Sequence, residues 1–401
     1  MILCRGCQSA EVGELLDIGM HPVSNYFLQH TSVVDPRYLL AIGQCRNCGL
    51  VQLTKLMPAN VLVPIYEWIT YNEPEGHLDA LVDRLTRLPG IDEESLIAGI
   101  SYKDDTTLQR FNHLGFNRTW RLDVSDDLRL PAVKSGIETV QGCLNSNLVP
   151  SIIKKYGLAD IMIVRHIVEH AYKPLELIEA LRQLIKPTGY LVFEVPDCTK
   201  VLETLDYSAI WEEHLLYFTP ETFQNFFSHY RFSLEDHILY SYSHENSLVA
   251  IVRPSEGELP VYPPKDALKL ETDRANSFFQ NLDVRKSKIK EFLSQYRKNH
   301  GKIAIFGAGH LACMFLNLME ISEFIDCVVD DFPEKRGLYM PGSKLPIVGS
   351  QAIMDKNIRL CLTTLNMESE RKVIRKNKEF IEFGGTFASI FPSSPIALPI
   401  L

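Results

Sequence analysis

Hydrophobic positions change period along this chain, and the changes mark out its elements. Leu78, Leu81, Val82, Leu85 and Leu88 recur at helical spacing. The apolar runs Leu96–Ile100, Asp160–Val164, Tyr190–Val195 and Leu248–Val252 predict strands, and continuous runs suit a buried, mostly parallel sheet. Between them, Pro174–Ile185 is an amphipathic helix closed by Lys186-Pro-Thr-Gly189, and Pro220–Phe227 is a short helix with Thr219 as its N-cap. Residues 253–265, with Pro254, Pro260, Pro263 and Pro264, form a connector. A long charged helix over Ala267–Lys298 follows. Lys302–Phe306, Gly307-Ala-Gly309, a helix to about Met319 and Ile325–Asp330 then make a second strand–helix–strand unit.

Strands alternating with helices imply an α/β fold with a doubly wound sheet. We divide the 401 residues into a knuckle-built module (1–58), a first α/β domain (59–252), and a linker helix with a second Rossmann-like domain (253–401). A net charge of −9 argues against a nucleic-acid partner, whose binding rests on Lys and Arg neutralising phosphates. No apolar run is long enough for a membrane span. The opening Met1-Ile-Leu-Cys4 lacks a basic stretch followed by an apolar one, so the cytoplasm is the expected compartment.

Four of the nine cysteines fall in the first 48 residues, as Cys4-x2-Cys7 and Cys45-x2-Cys48. Each knuckle turns two thiolates toward one cation, and the pair predicts a closed, structural Zn²⁺ site. Cys143, Cys198, Cys313, Cys327 and Cys361 stand singly and are expected to be small buried hydrophobes. Candidate chemistry clusters at strand ends, where α/β sheets bind ligands: Arg165, His166 and His170 after one strand, Glu194 and Asp197 after the next, and Glu213, His214 and Tyr217 before a helix. Histidine as base with a carboxylate orienting it suits proton transfer. Gly307-Ala-Gly309, with Ala312 in the third glycine's place and Asp330 and Asp331 about 20 residues on, has the context of a dinucleotide fingerprint, so NAD(P) is an alternative there.

These stretches together resemble the S-adenosylmethionine-dependent sugar C-methyltransferases of deoxysugar biosynthesis. The resemblance covers essentially the whole chain. It rests on the two knuckles with Leu16-Asp-Ile-Gly-Met-His-Pro-Val-Ser-Asn-Tyr-Phe27 between them, Asp160–His170, Glu194-Val-Pro, Glu213-His-Leu-Leu-Tyr-Phe218, and Phe306-Gly-Ala-Gly309 with Val329–Gly342. It implies a class I methyltransferase sheet, S-adenosylmethionine as methyl donor, and a nucleotide-linked keto-deoxysugar as substrate. A base removes a proton α to the ketone, and the resulting enediolate takes the methyl group. His214 matches the base and Glu213 its partner, with His166 and Tyr71 lining the sugar pocket. Asp104 matches the Asp of the Asn-Asp pair in the family's first motif, and Asp123 the ribose-binding acid. Arg165, with Lys335 and Arg336, is expected to meet the anionic ligands. The family's C-terminal domain carries the Gly-Ala-Gly turn without a dinucleotide.

The first loop departs from the family pattern. Gly99 stands for an acid, Ser101 and Asp105 for two glycines, and Lys103 for an Asn. Glu212 and Trp211 replace a His and a Tyr, and Glu245-Asn-Ser247 replaces Gly-Gly-Ser. The alternative expectation is an enzyme of the same fold that no longer uses the donor and catalyses proton transfer alone, or a non-catalytic binding paralogue.

Overall fold

The computed structural model describes residues 2–66, 73–130, 137–243, 245–256 and 260–401. Three sheets organise it. The first opens with antiparallel β1 (Val12–Pro22), β2 (Arg37–Cys45) and β3 (Val51–Lys55). The second contains β4 (Ile97–Gly99), β5 (Thr119–Arg121), β6 (Ala159–Arg165) and β7 (Ile185–Asp197). Next in the chain comes β8 (Leu216–Tyr217), which leaves this sheet and pairs with β3, placing Tyr217 opposite Val51. β9 (Phe232–Tyr240) and β10 (Asn246–Pro254) complete the second sheet in the order β5-β4-β6-β7-β10-β9. Its first four strands are parallel, and β9 and β10 are antiparallel. β11 (Lys302–Phe306), β12 (Cys327–Val329), β13 (Ile347–Val348), β14 (Ile358–Thr363) and β15 (Thr386–Ser389) form the third, all-parallel sheet, ordered β13-β12-β11-β14-β15.

The apolar runs are the central strands because both their faces are covered. From Ile161 to Arg165 every residue of β6 is buried. The helix Leu78–Leu85 buries Leu78, Leu81, Val82 and Leu85, the i, i+3, i+4, i+7 stripe read from sequence. Thr219 caps the helix Pro220–Phe226 through a reciprocal bond pair with Thr222.

Two expectations need correction. Lys186–Gly189 is not a loop: β7 begins at Ile185, and the Pro-Thr-Gly composition accommodates a register shift opposite Ala159–Ile161. The charged helix is two helices, Lys265–Gln280 and Leu282–Asn299. They part at Asn281, whose side-chain amide donates to the Ser277 carbonyl. Of the five single cysteines, Cys198, Cys313, Cys327 and Cys361 are buried and Cys143 is half-buried.

Contacts between the sheets gather around one stretch of chain. Tyr339 bridges to Leu28, and the Gly342 amide donates to Asp35, so the third sheet's loops are tied to the first module. Among the described residues, no helix is long and apolar enough to cross a membrane.

Candidate active site

His214 lies in the turn between Trp211 and β8, its amide donating to the Trp211 carbonyl, and the next residue is held from both sides. The Leu215 amide donates to the Glu169 carbonyl and the Leu215 carbonyl accepts from Leu53 N–H in β3. Two residues of the first module then fix the carboxylates beside it. Ser24 donates to Glu212 through its amide (2.5 Å) and hydroxyl (2.9 Å), and Asn25 Nδ2 donates to Glu213 Oε1 at 3.1 Å. Glu212 and Glu213 are buried. From the third sheet, His310 stacks on Trp211 with ring centroids 4.2 Å apart. All three parts of the chain thus meet at Trp211–His214. Sequence reasoning missed Ser24, Asn25 and His310 as site residues.

His166, at the end of β6, has φ +52°, a left-handed conformation costing of order 1–3 kcal/mol for a side-chain-bearing residue. Its amide bonds to the Glu194 carbonyl. Its ring lies between Glu169 Oε1 and Glu194 Oε1, each at 3.4 Å. Burial pulls its pKa down, but the charge of Glu73 and the hydrogen bonds to Glu169 and Glu194 outweigh it and raise His166 to about 10. His214 goes the other way. Burial, followed by the neighbouring His310, holds it at about 3. At neutral pH the pair is therefore one protonated and one neutral imidazole, a cation beside a proton acceptor. Tyr217 is not part of this pair: its hydroxyl is tied to the backbone of Trp211. Tyr71 lies outside the described residues.

Behind His166 sits a buried charged network. Glu194 accepts from Arg165 Nε at 2.5 Å and Ser247 Oγ at 2.6 Å, and its Oε1 lies 3.1 Å from His77 Nε2. Arg165 Nη1 also donates to the Lys103 carbonyl at 2.5 Å. Arg165 is 1% exposed, so it is enclosed in this network rather than forming an open anion patch. Lys335 and Arg336 are engaged with Asp330 and Asp331.

The loop after β4 bears on the methyl donor. The Asp104 carboxylate accepts from the amides of Ile100 (2.7 Å), Ser101 (2.8 Å) and Arg165 (3.2 Å). The Lys103 amide bonds to Ser101 Oγ and the Asp104 amide to the Ser101 carbonyl. A Cβ on Gly99 would meet Asp104 Cβ at 2.8 Å, so the glycine admits the chain's own aspartate. A methionine carboxylate needs free amides at such a loop, and these are bonded internally. The loop does not fit the donor in that main-chain mode. Asp123 lies exposed after β5, with Oδ1 accepting from Ser125 and Asp126 amides.

The four thiolates do fit their ion. Cys4 and Cys48 Sγ are 3.6 Å apart, as are those of Cys7 and Cys45, and all four lie within 4.8 Å of one another. A tetrahedron of Zn–S bonds spaces its sulfurs by roughly 3.8 Å. Gly49 turns the second knuckle at φ +78°. Zinc there would cross-link β2 to the N-terminal turn.

Comparison with known proteins accounts for the arrangement. Residues 4–62 match the family of a zinc binding domain, 93–237 a methyltransferase domain, and 265–392 a C-methyltransferase C-terminal domain. The three matches fall on successive parts of the chain. It is 23% identical to the C-methyltransferase NovU of Streptomyces niveus, over 97% of this chain and 95% of that one. Among solved structures, the Burkholderia thailandensis 1,6-didemethyltoxoflavin-N1-methyltransferase is 11% identical, covering 45% of this chain and 78% of its own, with a TM-score of 0.29. An S-adenosylmethionine-dependent methyltransferase of Clostridium acetobutylicum is 8% identical, covering 46% and 94%, also at 0.29. Neither structural likeness bears on the site.

The dinucleotide reading of Gly307–Gly309 finds no support. The Ala308 amide is taken by Asp330 Oδ2 at 2.9 Å, and Asp330 is paired with Lys335 at 3.0 Å, so the expected ribose acid is spent on the turn itself. The turn instead starts the helix His310–Leu318, whose first residue covers Trp211.

Proposed function

We propose that this C-methyltransferase-family chain abstracts a proton α to the ketone of a nucleotide-linked keto-deoxysugar, and that the enediolate so formed is the nucleophile methylated at carbon. What supports the reading is the buried turn Trp211–His214, where Asn25 holds Glu213 next in the chain to His214, with burial lowering the His214 pKa and nearby carboxylates raising that of His166. His214 Nε2 or Nδ1 takes the proton, and Glu213, held by Asn25, orients the ring and balances its new charge. Negative charge growing on the ketone oxygen is stabilised by His166 and by Lys103, whose ammonium bonds Glu73 at 2.7 Å. Abstraction beside a carbonyl needs both a base and a cation or donor for the oxyanion. Asp123 toward a ribose and Tyr71 toward the sugar remain part of this proposal.

The internally bonded loop at Asp104 favours a second reading, in which the same proton transfer is the whole reaction and no donor is used. One experiment separates the two. The protein is incubated with keto-deoxysugar nucleotides in D2O, with and without S-adenosylmethionine, and the sugar carbons are followed by NMR; binding of the donor is measured by calorimetry. Methylation with donor binding supports the first reading. Deuterium uptake with no binding at millimolar donor supports the second. Unchanged exchange in His214→Asn refutes both as written.

A further inference from the structure

Beside His214, the proposed base, two side chains of ligand type converge that have no role in the reaction just described. Glu169 and His170 lie in the tight turn Val168–His170 that follows β6, and His214 faces them from the turn before β8. One ligand atom from each lies within 4.8 Å of the others. The His170 and His214 rings meet edge to face, centroids 4.8 Å apart. Glu169 is 1% and His170 3% exposed. Among the described residues, the Glu169 carboxylate meets only a long ion-pair contact, with His166 Nδ1 at 3.4 Å, and Nδ1 of His170 makes no hydrogen bond. Buried polar atoms nearly always find partners, and leaving them bare is costly. A carboxylate and two imidazoles on one centre are a donor set for a first-row divalent ion.

We propose that Glu169, His170 and His214 bind a divalent transition-metal ion, Zn²⁺ or Co²⁺ in kind, at a second site distinct from the four thiolates. Three protein ligands leave a coordination position open, and His214 is the half-buried member of the three. The ion occupies the imidazole lone pair that a base at His214 uses. The loaded protein therefore loses α-proton exchange, and the metal acts as an inhibitor. That consequence rests on His214 being the base; the binding itself does not.

The test uses the full chain with its thiolate site filled with zinc. Co²⁺ is added and its visible absorption followed, with NMR of the same wild-type sample to find paramagnetically shifted imidazole N–H signals. One further equivalent of Co²⁺, two shifted histidines and no thiolate-to-metal band are expected. Glu169→Gln and His170→Asn should each weaken Co²⁺ at least about tenfold, since even outer partners of a metal site cost that much, while zinc content and far-UV circular dichroism stay unchanged. Absence of shifted histidine signals at millimolar Co²⁺, or uptake at the thiolates alone, overturns the site. Equal Co²⁺ affinity in wild type and both variants does the same. Co²⁺ bound with exchange undiminished leaves the site standing and removes His214 as the base.

Discussion

Glu194→Gln tests the buried network that holds His166 in place. Glu194 and Arg165 side chains are each 1% exposed, and the carboxylate receives Arg165 and Ser247 at 2.5 and 2.6 Å, with His77 and His166 at 3.1 and 3.4 Å. Glutamine keeps the shape but deletes the charge and turns one acceptor into a donor. The Arg165 guanidinium is left with Glu75, 3.5 Å away and 37% exposed, as its remaining ion pair. Breaking a buried pair from one side costs about 3–5 kcal/mol. For a domain the size of the first α/β domain that lowers Tm by roughly 6–20 °C. Thermal unfolding at constant zinc measures it. Replacing both partners, as Arg165→Met with Glu194→Leu, should cost less than Glu194→Gln alone, because the Arg165 charge is then removed together with its partner. The pH dependence has a definite sign. Burial acts to raise the Glu194 pKa, but His166, His77 and Arg165 hold it well below its ordinary 4.5. Its contribution is therefore present above about 4.5 and is lost as pH falls from there toward the folded value. The gap between wild type and variant stays constant from pH 8 to 6 and narrows below that window. A variant within about 1 kcal/mol of wild type, or a gap that closes between pH 8 and 6, would refute the reasoning.

Cys48→Ser removes one of four thiolates; zinc that resists brief chelation should fall below half an equivalent, and amides of β2 and β3 should lose hydrogen-exchange protection. Gly342→Ala should destabilise by roughly 1–3 kcal/mol in urea unfolding, since φ is +72° and the new Cβ would lie 1.9 Å from Asn317 Oδ1; an unaffected midpoint contradicts this. Asn25→Ala should slow α-proton exchange roughly tenfold with little change in substrate affinity, through the Glu213 it positions; a change in affinity alone would show Asn25 to be a binding residue instead.

What the sequence made legible and what it hid divide along a physical line. The central strands were readable because a strand covered on both faces is apolar at every position, and the thiolates because a metal imposes its spacing on four residues. Features made by one end of the chain reaching another were not. Ser24 and Asn25 meet Glu212 and Glu213 across 188 residues, and nothing local to either pair announces it. Gly307-Ala-Gly309 looked like a nucleotide loop because Gly-Ala-Gly before a helix serves any close packing there. Asp104 looked like a ligand for the donor, yet its carboxylate points inward to its own loop amides.

The same contacts explain why a structural metal belongs in this enzyme at all. The zinc module does not touch the reaction through its thiolates. It presents β3 to pair with β8 and carries Ser24 and Asn25 to the carboxylates beside His214. A short, mostly β module has little core of its own with which to hold that register. Cross-linking its strand end through four cysteines would therefore hold Ser24 and Asn25 against Glu212 and Glu213 from the far side of the module.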